Sequence, residues 1–120
     1  MNTQDVASAF TALCKEGKLD EAGTRFWADN VRSIETMEGP MQIAEGIPAL
    51  MGKGEWWYGA HDVHSIDVHG PMMNGNQFAL RFVMDVTFKE TGVRNQMDEV
   101  GLYTVVDGKI TEERFFYPLG

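Results

Sequence analysis

The feature that most constrains this chain lies in its last third, where three strand-like runs are joined by two tight turns. They read Gln77–Phe88, then Lys89-Glu90-Thr91-Gly92, then Val93–Val106, then Asp107-Gly108, then Lys109–Tyr117. A meander of this kind makes a curved antiparallel sheet. Two helix-like stretches near the N-terminus are available to cover one of its faces. A half-covered, curved sheet encloses a pocket, and the polar groups pointing into that pocket decide its chemistry.

The chain has 120 residues, which suits one domain spanning residues 1–120 with a single core. Its 10 Lys and Arg against 18 Asp and Glu give a formal charge of −8, which argues against nucleic acid or an anionic membrane as the main partner. No apolar run approaches the roughly 20 residues of a membrane span, and Met1-Asn2-Thr3-Gln4-Asp5 lacks the basic and apolar regions of a signal peptide. The single cysteine, Cys14, excludes an intramolecular disulfide and fits a cytoplasmic location. It occupies a core position of the first helix and reads as structural filler.

The chain contains no internal repeat, low-complexity segment or linker. Thr3 is the expected N-cap of a helix carrying Val6, Phe10, Leu13 and Cys14 at helical spacing, with Gly17 as its stop. A second helix is expected over residues 19–28 and a short strand over residues 31–35. Pro48 suits the first turn of a third helix running to about Tyr58. A strand over residues 61–69 follows, ended or bent by Gly70-Pro71. This order reads as α+β, with helices packed on one sheet face.

Alternation assigns the strand faces. Phe78, Leu80, Phe82, Met84, Val86 and Phe88 share one face, and six large apolar groups in a row must be buried. Read as a three-residue loop with a glycine bulge, the first turn pairs Lys89 with Val93, hence Met84 with Asp98 and Leu80 with Leu102. Asp107-Gly108 suits a two-residue type I′ turn, which pairs Leu102 with Glu113 and Asp98 with Tyr117. The inward rows become Leu80–Leu102–Glu113, Phe82–Val100–Phe115 and Met84–Asp98–Tyr117. Met97, Tyr103, Val105, Ile110 and Phe116 then fall on the outer face, and so much apolar area implies a homodimer. A one-residue slip in either turn would reverse these faces.

At Gly54-Glu55-Trp56-Trp57, His61-Asp62-Val63-His64-Ser65, Met84-Asp85-Val86-Thr87, Met97-Asp98-Glu99-Val100 and Asp107-Gly108-Lys109-Ile110, the chain resembles an uncharacterised subgroup of the SnoaL-like proteins, in the nuclear transport factor 2-like (cystatin-like) superfamily. The resemblance covers nearly the whole chain. It implies a cone-shaped α+β fold, a curved antiparallel sheet covered by N-terminal helices. The superfamily includes cyclases, isomerases, epoxide hydrolases, dehydratases and non-catalytic binders, so fold alone does not specify chemistry. Aligned on the Asp107-Gly108 turn, the last-strand Asp of the cyclases and epoxide hydrolases falls near Phe115. The protonated Asp of the isomerase oxyanion hole falls near Leu102. The Arg of the epoxide hydrolase set falls on Arg81, but its neighbouring Asp falls on Val83. None of these apolar residues transfers a proton.

The candidate catalytic residues are therefore His64, Asp98, Glu113 and Tyr117. Asp98 beside Tyr117 reads as a general acid or base, or as a rim carboxylate bonded to the tyrosine. Glu113, central on an apolar face, must be protonated, paired or facing a wet cavity. His64, on the face of Ile66 and Val68, is either a satisfied core histidine or an acid–base group. His61, His64 and His69 alternate faces along a strand and do not converge on a metal. Glu35 and Glu38 read as exposed. Met51, Trp56, Trp57, Phe82, Met84 and Phe115 are expected to line a pocket for a small apolar molecule. No cofactor is called for. The expected function is proton-transfer chemistry of the isomerase, cyclase, dehydratase or hydrolase kind; the alternative is a non-catalytic binding or dimerisation module.

Overall fold

A computed structural model describes residues 1–119. Helix α1 (Thr3–Lys15) starts at Asn2, whose side chain accepts from Asp5 N–H while the Asp5 carboxylate accepts from Asn2 N–H. This reciprocal cap places the helix start one residue earlier than expected, because Asn2 and Asp5 satisfy each other's backbone donors. Helix α2 (Leu19–Phe26) follows, and strand β1 (Trp27–Ile34) begins directly at its end. Strand β2 (Ile43–Glu45) and helix α3 (Ile47–Ala60) lead into β3 (His61–Asn74), β4 (Gln77–Phe88), β5 (Val93–Val106) and β6 (Lys109–Phe116).

The six strands form one sheet in the order β2-β1-β6-β5-β4-β3. The meander of the last strands is antiparallel, and β1 joins its free edge parallel to β6, with Ser33 opposite Glu113. This crossover brings the polar end of β1 beside the inward face of β6. Helices α1 and α2 bury Val6, Ala7, Phe10, Cys14, Ala22 and Phe26 in the core. Phe10 packs on Phe78 and Tyr103, whose rings stack at 4.9 Å.

The β4 face follows the expectation: Phe78, Leu80, Phe82, Met84 and Val86 are all buried. The β5 face does not. Phe88, not Lys89, pairs with Val93, so the loop Lys89–Gly92 has four residues. Gly92 adopts φ 73° and its N–H donates to the Phe88 carbonyl at 2.8 Å. That i→i+4 turn consumes one more residue than a bulged three-residue loop and slips β5 by one. Met97, Glu99, Gly101, Tyr103 and Val105 therefore face inward, while Asp98, Val100 and Leu102 face outward.

The Asp107-Gly108 turn forms as expected, with both residues at positive φ and Val106 paired with Lys109. An irregularity then places Thr104 opposite Glu112 and Val105 opposite Ile110, leaving Thr111 as the extra residue. This bulge turns Glu113 and Phe115 inward against the slipped β5. Glu113 thus reaches its expected face, opposite Tyr103 rather than Leu102. Of the five apolar groups expected outside, Tyr103, Val105 and Ile110 are buried and Met97 packs against the core. Only Phe116 is exposed.

Candidate functional site

Where β1 leaves the sheet, Ser33 and Glu35 approach Lys53 from α3, while Trp27, from the start of β1, reaches Glu113 of β6. Lys53 Nζ donates to Ser33 Oγ at 2.8 Å and to Glu35 Oε2 at 3.1 Å, and lies 5.5 Å from the centre of the Phe115 ring. Tyr117 closes the other side of Glu35: its hydroxyl donates to Oε1 at 3.2 Å and accepts the Met37 N–H at 3.3 Å. The Thr36 hydroxyl donates to the Phe115 carbonyl at 2.7 Å, tying the chain after β1 to the end of β6. Glu35 and Lys53 are mostly withdrawn from solvent, with 22% and 17% of their side chains exposed. The sequence expectation of an exposed Glu35 fails because β1 pairs with β6 and α3 carries Lys53 across it.

Glu113 is buried. It accepts from Trp27 Nε1 at 3.2 Å, and Ser33 supplies a second hydrogen bond. Burial nevertheless raises its pKa above the usual carboxylate range; the two hydrogen bonds and the charge of Lys53 oppose the rise, while Glu35 adds to it.

Glu99 projects from β5 into the same region. Burial, then the neighbouring charge of Glu35, raise its pKa to about 7; Lys53 pulls it down and Glu113 adds to the rise. Burial and charge act on it, with no hydrogen bond from the described residues holding either form. Two residues further along the strand face is Gly101. The Tyr103 side chain lies across it, so that a Cβ there would stand 2.9 Å from the phenolic oxygen. Burial, followed by the charge of Glu113, raises the Tyr103 pKa well above the ordinary tyrosine value. The arrangement combines three inward carboxyl groups, one lysine and a buried phenol. It is suited to taking up or giving a proton near neutral pH.

The candidates read from the sequence are only partly brought together. Asp98 lies on the outer face in a two-bond pair with Arg81, at 2.9 and 2.6 Å, because the β4–β5 turn is one residue longer than expected. His64 is the extra residue of a bulge between Val63 and Ser65, which turns it outward to Thr87 Oγ1 at 2.7 Å. Tyr117 meets Glu35 rather than Asp98. Met51 and Trp56 are exposed, Phe82 and Met84 are core residues, and Phe115 lies beneath Lys53. Trp57 packs against the core and stacks on His61 at 4.6 Å, and His61 Nδ1 is bonded to the Trp57 carbonyl. These six side chains do not share one pocket wall. No group of His, Cys, Asp and Glu suited to a metal ion occurs among the described residues.

Two surface clefts lie away from the acidic cluster. One of about 350 Å³ runs between Gly17–Glu21 and Tyr58, and one of about 410 Å³ lies on the sheet among Ser65, Asp67, Asp85, Arg94 and Gln96. No helix among the described residues is long and apolar enough to cross a membrane.

Sequence reasoning missed Glu99, Lys53, Ser33, Trp27 and Tyr103. Gly101 was the available signal for two of them, since a glycine inside a strand often marks a close approach by another group. Here that group is Tyr103, which places Gly101, Tyr103 and Glu99 on the inward face.

Solved structures support the same fold. A protein from Mesorhizobium loti has 53% identity and TM-score 0.95, over 98% of this chain and 100% of its own; its name carries both a provisional SnoaL-like polyketide cyclase label and a carbohydrate phosphatase label. An NTF2-like protein from Burkholderia thailandensis matches in fold, with 12% identity and TM-score 0.83 over 98% of this chain and 92% of its own. A Xanthomonas campestris protein of unknown function with a cystatin-like fold has 21% identity and TM-score 0.72, over 98% and 91% of the two chains. No curated protein matches the chain. The family model of the SnoaL-like domain matches residues 1–117, and the chain belongs to that family.

Proposed function

We propose that this chain is a small-molecule pocket protein that moves a proton on a small, largely apolar ligand, with Glu99 as the exchanging group. One contrast carries the reading. Glu35 is held by Lys53 and Tyr117, and Glu113 by Trp27 and Ser33, whereas Glu99 faces the same region without a hydrogen-bond partner among the described residues. A carboxyl group poised near neutral pH serves as base in one half of a reaction and as acid in the other. Tyr103, lying across Gly101, is placed to orient a ligand oxygen, and the lysine offsets negative charge that develops nearby. The name of the Mesorhizobium protein includes a cyclase label, which agrees with chemistry of this class.

The second reading, a non-catalytic binder, is favoured by the inward Phe115, which stands where the resemblance puts the last-strand acid of the cyclases and epoxide hydrolases. For assembly we propose a homodimer through the outer face. Its remaining apolar groups are Val83, Val100, Leu102 and Phe116, among the Arg81–Asp98 and Arg94–Asp85 pairs. Light scattering at micromolar concentration should give the mass of two chains; the mass of one would remove this assembly.

The functional test uses a panel of small apolar ketones in D2O, with NMR reading the exchange of protons beside the carbonyl. Exchange should rise with pH through about 7, as Glu99 ionises. Glu99→Gln should slow it about 100-fold, the lower range for loss of a general base. Exchange that ignores Glu99→Gln sinks the assignment. Ketones that bind without exchanging favour the binder.

A further inference from the structure

We propose that His61 and the aromatic row around it form a second ligand site, at the open end of the inward face, for a flat apolar ring that bears a hydroxyl. His61 follows the last residue of α3 and pairs with Phe88, which pairs in turn with Val93. These three side chains make one row across the inward face. Trp57, from the last turn of α3, stacks on the imidazole with ring centres 4.6 Å apart and planes at 23°, and the Phe88 ring lies 5.3 Å from it. Helix α3 ends at Ala60 and leaves the row partly uncovered: Val93 is 56% exposed, whereas Val86, on the same face nearer the helices, is 1% exposed. Glu99 lies six residues beyond Val93 on β5, roughly 20 Å along a strand, so this site is separate from the acidic cluster.

The Trp57 carbonyl decides what His61 can offer. That oxygen lies 2.9 Å from Nδ1 and also accepts the His61 backbone N–H, closing the helix. A carbonyl oxygen only accepts, so Nδ1 carries the ring proton, and the neutral imidazole keeps its lone pair on Nε2. Turning the ring over would put a carbon against the carbonyl and lose the bond, so the lone pair keeps its direction. Nε2 has no hydrogen-bond partner among the described residues. A histidine that served only to stop the helix would need Nδ1 alone, and the free acceptor on a stacked, oriented ring is what that role leaves over. Around it stand the apolar surfaces of Trp57, Phe88 and Val93. Such surfaces take a ring of any kind, while the lone pair selects one that carries an O–H, because a ligand that only accepts leaves Nε2 unpaired. A carboxylate or phosphate brings charge to this apolar row and no donor for the lone pair.

Phenol and anisole test this in the full chain, since they share a ring and differ in the hydroxyl proton. Nitrogen-15 NMR of the histidine rings, at mildly alkaline pH where imidazole is neutral, reads the outcome. Before any ligand is added, His61 should show a protonated Nδ1 and a bare Nε2. Phenol should move the His61 Nε2 signal and the Val93 methyl signals together, to saturation. Anisole should bind about tenfold more weakly, the effect of one hydrogen bond. His61→Phe keeps a ring beside Trp57 and loses the acceptor, so phenol should weaken to the level of anisole. Should that variant not fold, Val93→Asp, at an exposed position, should weaken both probes by setting a charge beside the ring's seat. Equal binding of the two probes, no saturable shift with phenol, or phenol binding that leaves His61 unmoved would each overturn the proposal. So would a neutral imidazole protonated on Nε2, or phenol binding that is indifferent to whichever of the two substitutions folds.

Discussion

The indole of Trp27 lies flat across Gly23, and this contact aims its Nε1 at the buried Glu113 carboxyl 3.2 Å away. Trp27 is the first residue of β1 and Gly23 belongs to α2, so the junction between helix and strand sets the distance. A methyl group on residue 23 would fall inside contact range of the ring. Gly23→Ala is expected to destabilise the fold by roughly 1–3 kcal/mol, the usual cost of overpacking. It should also raise the Glu113 titration, because a donor to its charged form is displaced. Urea unfolding and carboxyl NMR check both outcomes. Trp27→Phe, which loses the donor and keeps an aromatic ring, should reproduce the titration change; an unmoved Glu113 in both variants would refute the link.

Glu99 makes stability depend on pH in a direction that can be worked out. Its pKa stands at about 7 in the fold against an ordinary 4.5, so folding favours the protonated form. That stability is complete below about 4.5 and is lost as pH rises through about 7. Glu99→Gln cannot ionise and escapes the loss. Relative to wild type, its melting temperature should therefore improve steadily between pH 4.5 and pH 8. A difference that stays flat across this range would show that Glu99 ionises freely.

The helices, the meander and the buried face of β4 were legible because each rests on local patterning. Six alternating apolar residues from Phe78 to Phe88 leave only one face that can be buried. The candidate site was less legible because it depends on two one-residue events. The loop from Lys89 to Gly92 takes four residues instead of three, which exchanges Asp98 for Glu99 on the inward face. The bulge at Thr111 then restores Glu113. Neither event alters composition or period, and each reverses every side chain beyond it. A similar bulge turned His64 away. Lys53 and Glu35 are 18 residues apart and meet only because α3 lies across the β1–β6 pairing. No local signal encodes that contact.

Thr11 provides an independent check on the packing of α1. The residue is 3% exposed and its hydroxyl has no hydrogen-bond partner among the described residues. A buried, unpaired hydroxyl costs folding energy that an equally shaped apolar group avoids. Thr11→Val keeps the branching at Cβ and should raise stability by about 1 kcal/mol. Urea denaturation with an unchanged slope would read the gain directly. A loss of stability would mean that the hydroxyl is bonded in solution.

Asp98 and Glu99 are chain neighbours on opposite faces, and their substitutions should separate cleanly. Asp98 is paired with Arg81, whose hydrogen bonds and charge hold its pKa below the usual 3.8; the exposed Asp85 is held down in the same way by Arg94. A lowered pKa means that the Asp98 pair contributes stability above about 3.8, and that this is lost as pH falls through the depressed value. Asp98→Asn should therefore differ from wild type only slightly near neutral pH, and not at all once acid has protonated Asp98. The pair is exposed, so added salt should shrink even the neutral difference. Because Asp98 points away from Lys53 and Glu113, Asp98→Asn should leave ketone exchange at the wild-type rate while Glu99→Gln slows it. The opposite result, with exchange lost in Asp98→Asn and kept in Glu99→Gln, would mean that β5 takes the other register in solution.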